Sequence, residues 1–210
     1  MPPSELAVFQ RHLQKLDYTR HRMEDLFREG EISKRDLFSV YGALFLRAVT
    51  RFETFLEDLF LGILQKRVKY RKSRKIVPRI VHRSNHALTG VVYRKQPYVD
   101  WMPFKETEER ADVFLYGGRP FSELEHDHKD VMTRVWVTRC AIAHDSDHTK
   151  RRFQRTIINS LVLRPDEKSP AGFLRSQVNP TTNRFELYVG ELGKIAAHLC
   201  SPVRPPKKYP

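Results

Sequence analysis

The sequence predicts an all-α fold: a helical bundle of four to five main helices, with an irregular crossover ahead of the helix that carries its most informative motif. Three observations predict it. Apolar residues recur at helical spacing through two long N-terminal segments and return in the second half. No proline occurs between Pro3 and Pro78. Residues 84 to 121 then break the pattern with Pro97, Pro103, Gly117, Gly118 and Pro120 set among Tyr93, Tyr98, Trp101 and Phe104. At 210 residues, 40% hydrophobic and 30% charged, the chain can bury one sizeable core. One domain over residues 1–200 follows, with a flexible Pro/Lys-rich tail at 201–210.

The first helix starts near Ser4, and Leu6, Phe9, Leu13, Leu16, Met23 and Phe27 line one face until Gly30 ends it. Ser33 with Asp36 opens a second, in which Leu37, Leu44, Phe45, Ala48, Phe52, Phe55, Leu56, Leu59, Ile63 and Leu64 keep the period. It can run roughly 35 residues, about 50 Å, with Gly42 and Gly62 as candidate bends. Within the crossover, the acidic run after Lys105 supports a short helix to Tyr116, and the aromatics there are expected to pack onto the bundle. Ser122 with Glu125 has the spacing of a capping box for the next helix. That helix carries Leu124, Val131, Val135 and Ile142 on one stripe and Met132, Trp136, Arg139 and Ala143 on another, so it has two burial surfaces. Residues 165 to 184 read as loop, with a short strand at Leu161 to Leu163. Phe185, Leu187, Leu192, Ile195, Ala196 and Leu199 close the core from a last helix.

Composition narrows the function classes. No apolar run approaches the roughly 18 to 20 residues of a membrane helix, and the start lacks signal-peptide order, so a cytoplasmic location is expected. Cys140 and Cys200 are too few for a disulfide framework and are read as reduced. Gly-rich phosphate loops and serine nucleophile elbows are lacking, which argues against NTPase and hydrolase folds. The formal net charge of +13 favours a polyanionic partner. Nine of the eighteen residues from 66 to 83 are basic: Lys66, Arg67, Lys69, Arg71, Lys72, Arg74, Lys75, Arg79 and Arg83. Interleaved with Tyr70, Ile76 and Val77, they read either as an RNA-binding surface or as a solubilising face.

Arginine followed by histidine after four to six residues occurs three times. Arg79 with His86 lies in a proline-bearing basic stretch, and Arg119 with His126 straddles a turn. Arg139 with His144 sits in a helical pattern. Guanidinium offers a planar fork of donors to phosphate oxygens, and imidazole can take or give a proton near neutral pH. Together they can handle a phosphodiester without metal. A regular helix sets a geometric condition, because five residues amount to about 500° and leave the two side chains about 140° apart. Either the helix ends before His144, as Asp145-Ser146-Asp147 permits, or two subunits contribute the pair.

On this motif, and on Arg47 to Leu59, Trp101-Met102-Pro103-Phe104, Arg119-Pro120-Phe121-Ser122 and Phe173-Leu174-Arg175, the chain resembles the HEPN superfamily, in particular its RiboL-PSP-HEPN branch. The resemblance covers most of residues 5 to 200. It implies a metal-independent endoribonuclease of toxin–antitoxin or phage-defence type, acting as a homodimer across a cleft and held by an antitoxin or defence-system partner. It implies Arg139 and His144 as catalysts, 2′-OH attack, and products with 2′,3′-cyclic phosphate and 5′-OH ends. Other members are inactive modules that bind RNA or nucleotides or serve in assembly. Cys140 departs from the polar residue that usually follows the arginine, and Ser146 stands where some relatives carry a modified tyrosine.

Three residues are candidates to orient or support the pair: Glu53, which interrupts the apolar face between Phe52 and Phe55, Cys140, and Asp145. Glu53 either orients a cation from inside the bundle or is an ordinary exposed carboxylate. His126, His128, His144 and His148, near Asp145 and Asp147, lack a metal-binding motif and are read as surface histidines, so no cofactor is expected.

Overall fold

The computed structural model describes residues 4–68, 70, 76–93 and 96–201. Among them run α1 (Ser4–Arg28), α2 (Lys34–Leu64), α3 (Asn85–Val92), α4 (Phe104–Phe114), α5 (His126–Ala143), α6 (Asp147–Phe153), α7 (Pro170–Arg175) and α8 (Arg184–Cys200). A hairpin of β1 (Gln177–Asn179) and β2 (Thr182–Asn183) precedes α8, with Gln177 opposite Asn183. The all-α expectation holds, with four helices of 17 residues or more and the 11-residue α4. None of the described helices is long and apolar enough to cross a membrane.

The helix α2 organises the rest. The Ser33 hydroxyl accepts the Asp36 N–H at 3.2 Å while the Asp36 carboxylate accepts the Ser33 N–H at 3.2 Å, so the reciprocal cap expected from sequence is present. From Leu59 to Leu64 every position is buried, which makes this end a core helix with neighbours on all sides. On one side α1 places Phe9 5.3 Å from Phe55 and 5.7 Å from Phe52, after Gly30 has ended it in the left-handed conformation that spares a Cβ. On another, Phe60 is ringed by Trp101, Phe114 and Phe121 at 5.3, 6.0 and 5.8 Å; of the crossover aromatics Trp101 and Phe104 are buried, whereas Tyr98 is 71% exposed and does not pack down. Phe185 of α8 meets Tyr41 edge-on at 5.7 Å.

Buried polar groups tie the elements together. Arg20 is 3% exposed and donates to Asp17 at 3.0 Å and to Glu186, joining α1 to α8. Tyr41 donates to Glu24 at 2.8 Å, and Arg175 grips the same carboxylate through both oxygens at 2.8 and 3.0 Å. Burial works against the Glu24 charge, but Arg175 and Tyr41 outweigh it and hold the carboxyl below its ordinary range.

Several local expectations are corrected. Ser122 does not cap the motif helix: its hydroxyl donates to the Gly117 carbonyl at 2.6 Å, and α5 begins at His126 behind Glu125, which makes no side-chain cap bond. Gly117 and Gly118, both near φ +65°, turn the chain so tightly that Ser122 is captured by the turn instead. Leu161 to Leu163 form no strand; the hairpin lies later, inside the stretch read as loop, which also contains α7. Gly42 and Gly62 lie inside one continuous helix as points of close approach. A Cβ would come 3.3 Å from Ile142 at Gly42 and 2.7 Å from Val68 at Gly62. The tail beyond Ser201 lies outside the described residues.

Gly172 shows how closely α7 is seated, since a Cβ there would lie 2.0 Å from the Asp166 carbonyl oxygen. Gly172→Ala is expected to destabilise the fold by about 1–3 kcal/mol in denaturant unfolding, because backbone rather than a movable side chain must give way.

Candidate functional site

The two stripes of α5 are covered for most of their length, but Ala143 at the end of one is exposed and Leu124 lies ahead of the helix. Met132 and Val135 are fully buried, Ile142 packs against Gly42 of α2, and Trp136 and Arg139 are half-buried. Val137 and Thr138 are buried as well, which the stripes did not include.

Helical geometry stops before the histidine. His144 has φ −130° and ψ 117°, an extended conformation, although its N–H still reaches the Cys140 carbonyl at 3.0 Å. The chain beyond is held by a second set of bonds. Thr149 Oγ1 donates to the His144 carbonyl at 2.7 Å, and Ser146 accepts the Thr149 N–H at 3.3 Å as the N-cap of α6. The extended residue releases the imidazole from its helical direction. Arg139 Nη1 and His144 Nε2 then lie 3.5 Å apart, at the outer edge of hydrogen bonding. Within one chain the described geometry therefore follows the first of the two routes, a helix that ends in time.

Glu53 of α2 is half-buried and lies within the field of Arg139. Burial pushes its carboxyl above the usual range, the positive Arg139 pulls it back, and Asp100 from the crossover pushes it up again. Cys140 is half-buried, and burial raises its thiol despite the opposing fields of Arg139 and Arg152. Asp145 turns away to pair with Lys150 at 2.5 Å, so it does not orient the imidazole.

The described part of the basic stretch is not gathered here. Its described part begins beyond Leu64, about 16 Å along the α2 axis from Glu53. Arg67 pairs with Glu5 at 3.6 Å and Arg79 lies 4.7 Å over the Tyr116 ring. Lys66 and Arg83 are exposed. Lys69, Arg71, Lys72, Arg74 and Lys75 lie outside the described residues. Among the histidines, His126 pairs with Asp130 at 3.2 Å and His148 is exposed. His128 sits 5.5 Å from the His198 ring. Among the described residues, Asp17, His21 and Glu186 bring potential metal-ligand atoms within 4.8 Å of one another, and the Arg20 guanidinium already binds all three.

Two features escaped the sequence reading. Arg152 of α6 lies 4.1 Å over the Trp136 ring, one turn before Arg139. A groove of about 690 Å³ opens beside Ile142, walled by Phe38, Gly42, Ala43 and Leu46. The helix that delivers Arg152 had a readable signal: Ser146 and Asp147 at its start, then Lys150-Arg151-Arg152 in its last turn. No protein-family model matches the chain, and no curated protein or solved structure matches it.

The raised Glu53 carboxyl sets a pH dependence. A carboxyl with a folded-state pKa above its unfolded one favours the fold when protonated, and this contribution is lost as pH rises through the folded value. Glu53→Gln is therefore expected to raise the thermal midpoint at neutral and alkaline pH. The gain should shrink to nothing below the ordinary glutamate range, as read by melting curves across pH.

Proposed function

We propose that this chain is a metal-independent endoribonuclease of HEPN type, with Arg139 and His144 as the reacting pair. The reading rests on one observation, the 3.5 Å approach of guanidinium to imidazole made possible by the extended backbone at His144. In the proposed reaction His144 accepts the proton of an RNA 2′-OH as that oxygen attacks the adjacent phosphorus. The bond from phosphorus to the 5′ oxygen breaks, and a proton is returned to that leaving oxygen. Arg139 donates to the phosphorane oxygens, where negative charge accumulates. The products carry 2′,3′-cyclic phosphate and 5′-OH ends, and the net charge of +13 assists capture of the substrate.

The working form is a homodimer of the toxin or defence class, restrained by a partner protein. Support for a second copy comes from the apolar groove beside Ile142, in which Ala43 is exposed and Phe38 and Leu46 are half-exposed. A second reading, an inactive RNA-binding or assembly module, draws on Asp145. With that carboxylate engaged by Lys150, His144 lacks the carboxylate that commonly orients a catalytic imidazole.

The two readings part on incubation of RNA with excess EDTA. The enzyme is expected to cut RNA there, with His144→Ala lowering the rate by about 10²–10⁴-fold and Arg139→Ala by about 10²–10³-fold. Intact RNA with undiminished binding would select the module. Ala43→Arg, which places a charge in the groove, is expected to halve the mass measured by light scattering and to abolish cleavage.

A further inference from the structure

The two guanidinium groups on this face lack carboxylate partners. Lys150, Arg151 and Arg152 follow one another in the last turn of α6, and Asp145 neutralises Lys150. Arg152 lies instead on Trp136, and Arg139 reaches toward His144; among the described residues neither forms an ion pair. On α5 the residues Trp136, Arg139 and Cys140 are neighbours three and four positions apart, so the indole under the Arg152 guanidinium is rooted one helical turn, about 5 Å along the axis, from the root of Arg139. Both cations act on the Cys140 thiol, so both reach the same stretch of the α5 surface.

Such an arrangement is electrostatically unfinished. Two like charges are held close on a half-buried surface, each by contacts that do not neutralise it. Glu53 of α2 lies within the field of Arg139, and its own burial disfavours the charge that would balance that cation. Contact with the indole face holds the Arg152 guanidinium in place by a cation–π interaction that does not use up its N–H donors, which arginine can offer to phosphate oxygens.

We infer that Arg152, held over the Trp136 ring, is a second phosphate-binding residue of the same site and grips an RNA phosphate beside or at the linkage handled by Arg139. The inference rests on the RNA-directed reading above. It also adds to it, because a phosphorane bears two negative charges where the ground-state diester bears one, and two guanidinium groups match the larger charge. The sharp turn at His144 thus has a second consequence: it folds α6 back so that Arg152 meets the helix that carries Arg139.

The test measures binding of a short single-stranded 2′-O-methyl oligoribonucleotide, which cannot be cut by 2′-OH attack, over a series of salt concentrations. Arg152→Gln is expected to weaken binding about tenfold and to reduce the slope of log affinity against log salt by about 0.7, the share of one phosphate on a single strand. Arg152→Lys keeps the charge and is expected to keep the slope while recovering part of the affinity. Wild-type affinity and slope in Arg152→Gln would overturn the inference, as would a failure of the wild-type protein to bind the oligonucleotide. So would an Arg152→Lys protein as impaired in both quantities as Arg152→Gln, since Arg152 would then act through the fold. If binding shows the Arg152-dependent slope while unmethylated RNA stays intact, the nuclease reading falls and this one stands.

Discussion

Burial of α2 is the constraint on which the other elements depend. A helix with 16 of its 31 residues buried cannot present one apolar stripe and leave the rest in water, so neighbours must cover it on several sides. Each of them is positioned by what it covers. Phe9 of α1 stacks on Phe55, the crossover aromatics enclose Phe60, Phe185 of α8 meets Tyr41, and Ile142 of α5 rests against Gly42. The close approach at Gly42 has a functional consequence, since it fixes the end of α5 where the candidate site lies.

That end is where helical regularity gives way. Had α5 continued through His144, the imidazole would have faced away from Arg139 by about 140° around the axis. An extended residue removes the conflict, and the Ser146 and Thr149 bonds hold the new direction without help from another subunit. A dimer is therefore not needed to bring this pair together. In the proposed enzyme its contribution lies elsewhere, in closing the cleft and covering the apolar groove beside Ile142.

Charge is treated in two ways in this molecule. Inside the bundle the guanidinium groups of Arg20 and Arg175 are closed off by Asp17, Glu186 and Glu24, which binds the helices to one another. On the α5–α6 face Arg139 and Arg152 are held by an imidazole and an indole, contacts that fix position without cancelling charge. Glu53, half-buried between these regimes, contributes its field to Arg139 at some cost to stability.

How much was legible follows the range of the interactions. Helical period, the Ser33 cap, the crossover and the inward packing of Trp101 and Phe104 are local or depend on burial alone, and these were read correctly from residue order, while Tyr98 is exposed. The Ser122 cap failed because the turn made by the left-handed Gly117 and Gly118 presents the Gly117 carbonyl to its hydroxyl. The hairpin before α8 and the short α6 and α7 went unread because segments of two to seven residues carry too little periodicity. At the site, the spacing of Arg139 and His144 and the position of Glu53 were visible in the chain. The sequence by itself determined the long helices, most of the faces they bury and the spacing that makes Arg139 and His144 the candidate pair. Only the tertiary structure decided that α5 stops at His144, that Asp145 is taken by Lys150 and that Arg152 lands on Trp136. Those outcomes depend on the direction of the chain after a break, and that direction is set by packing between distant segments rather than by local preference.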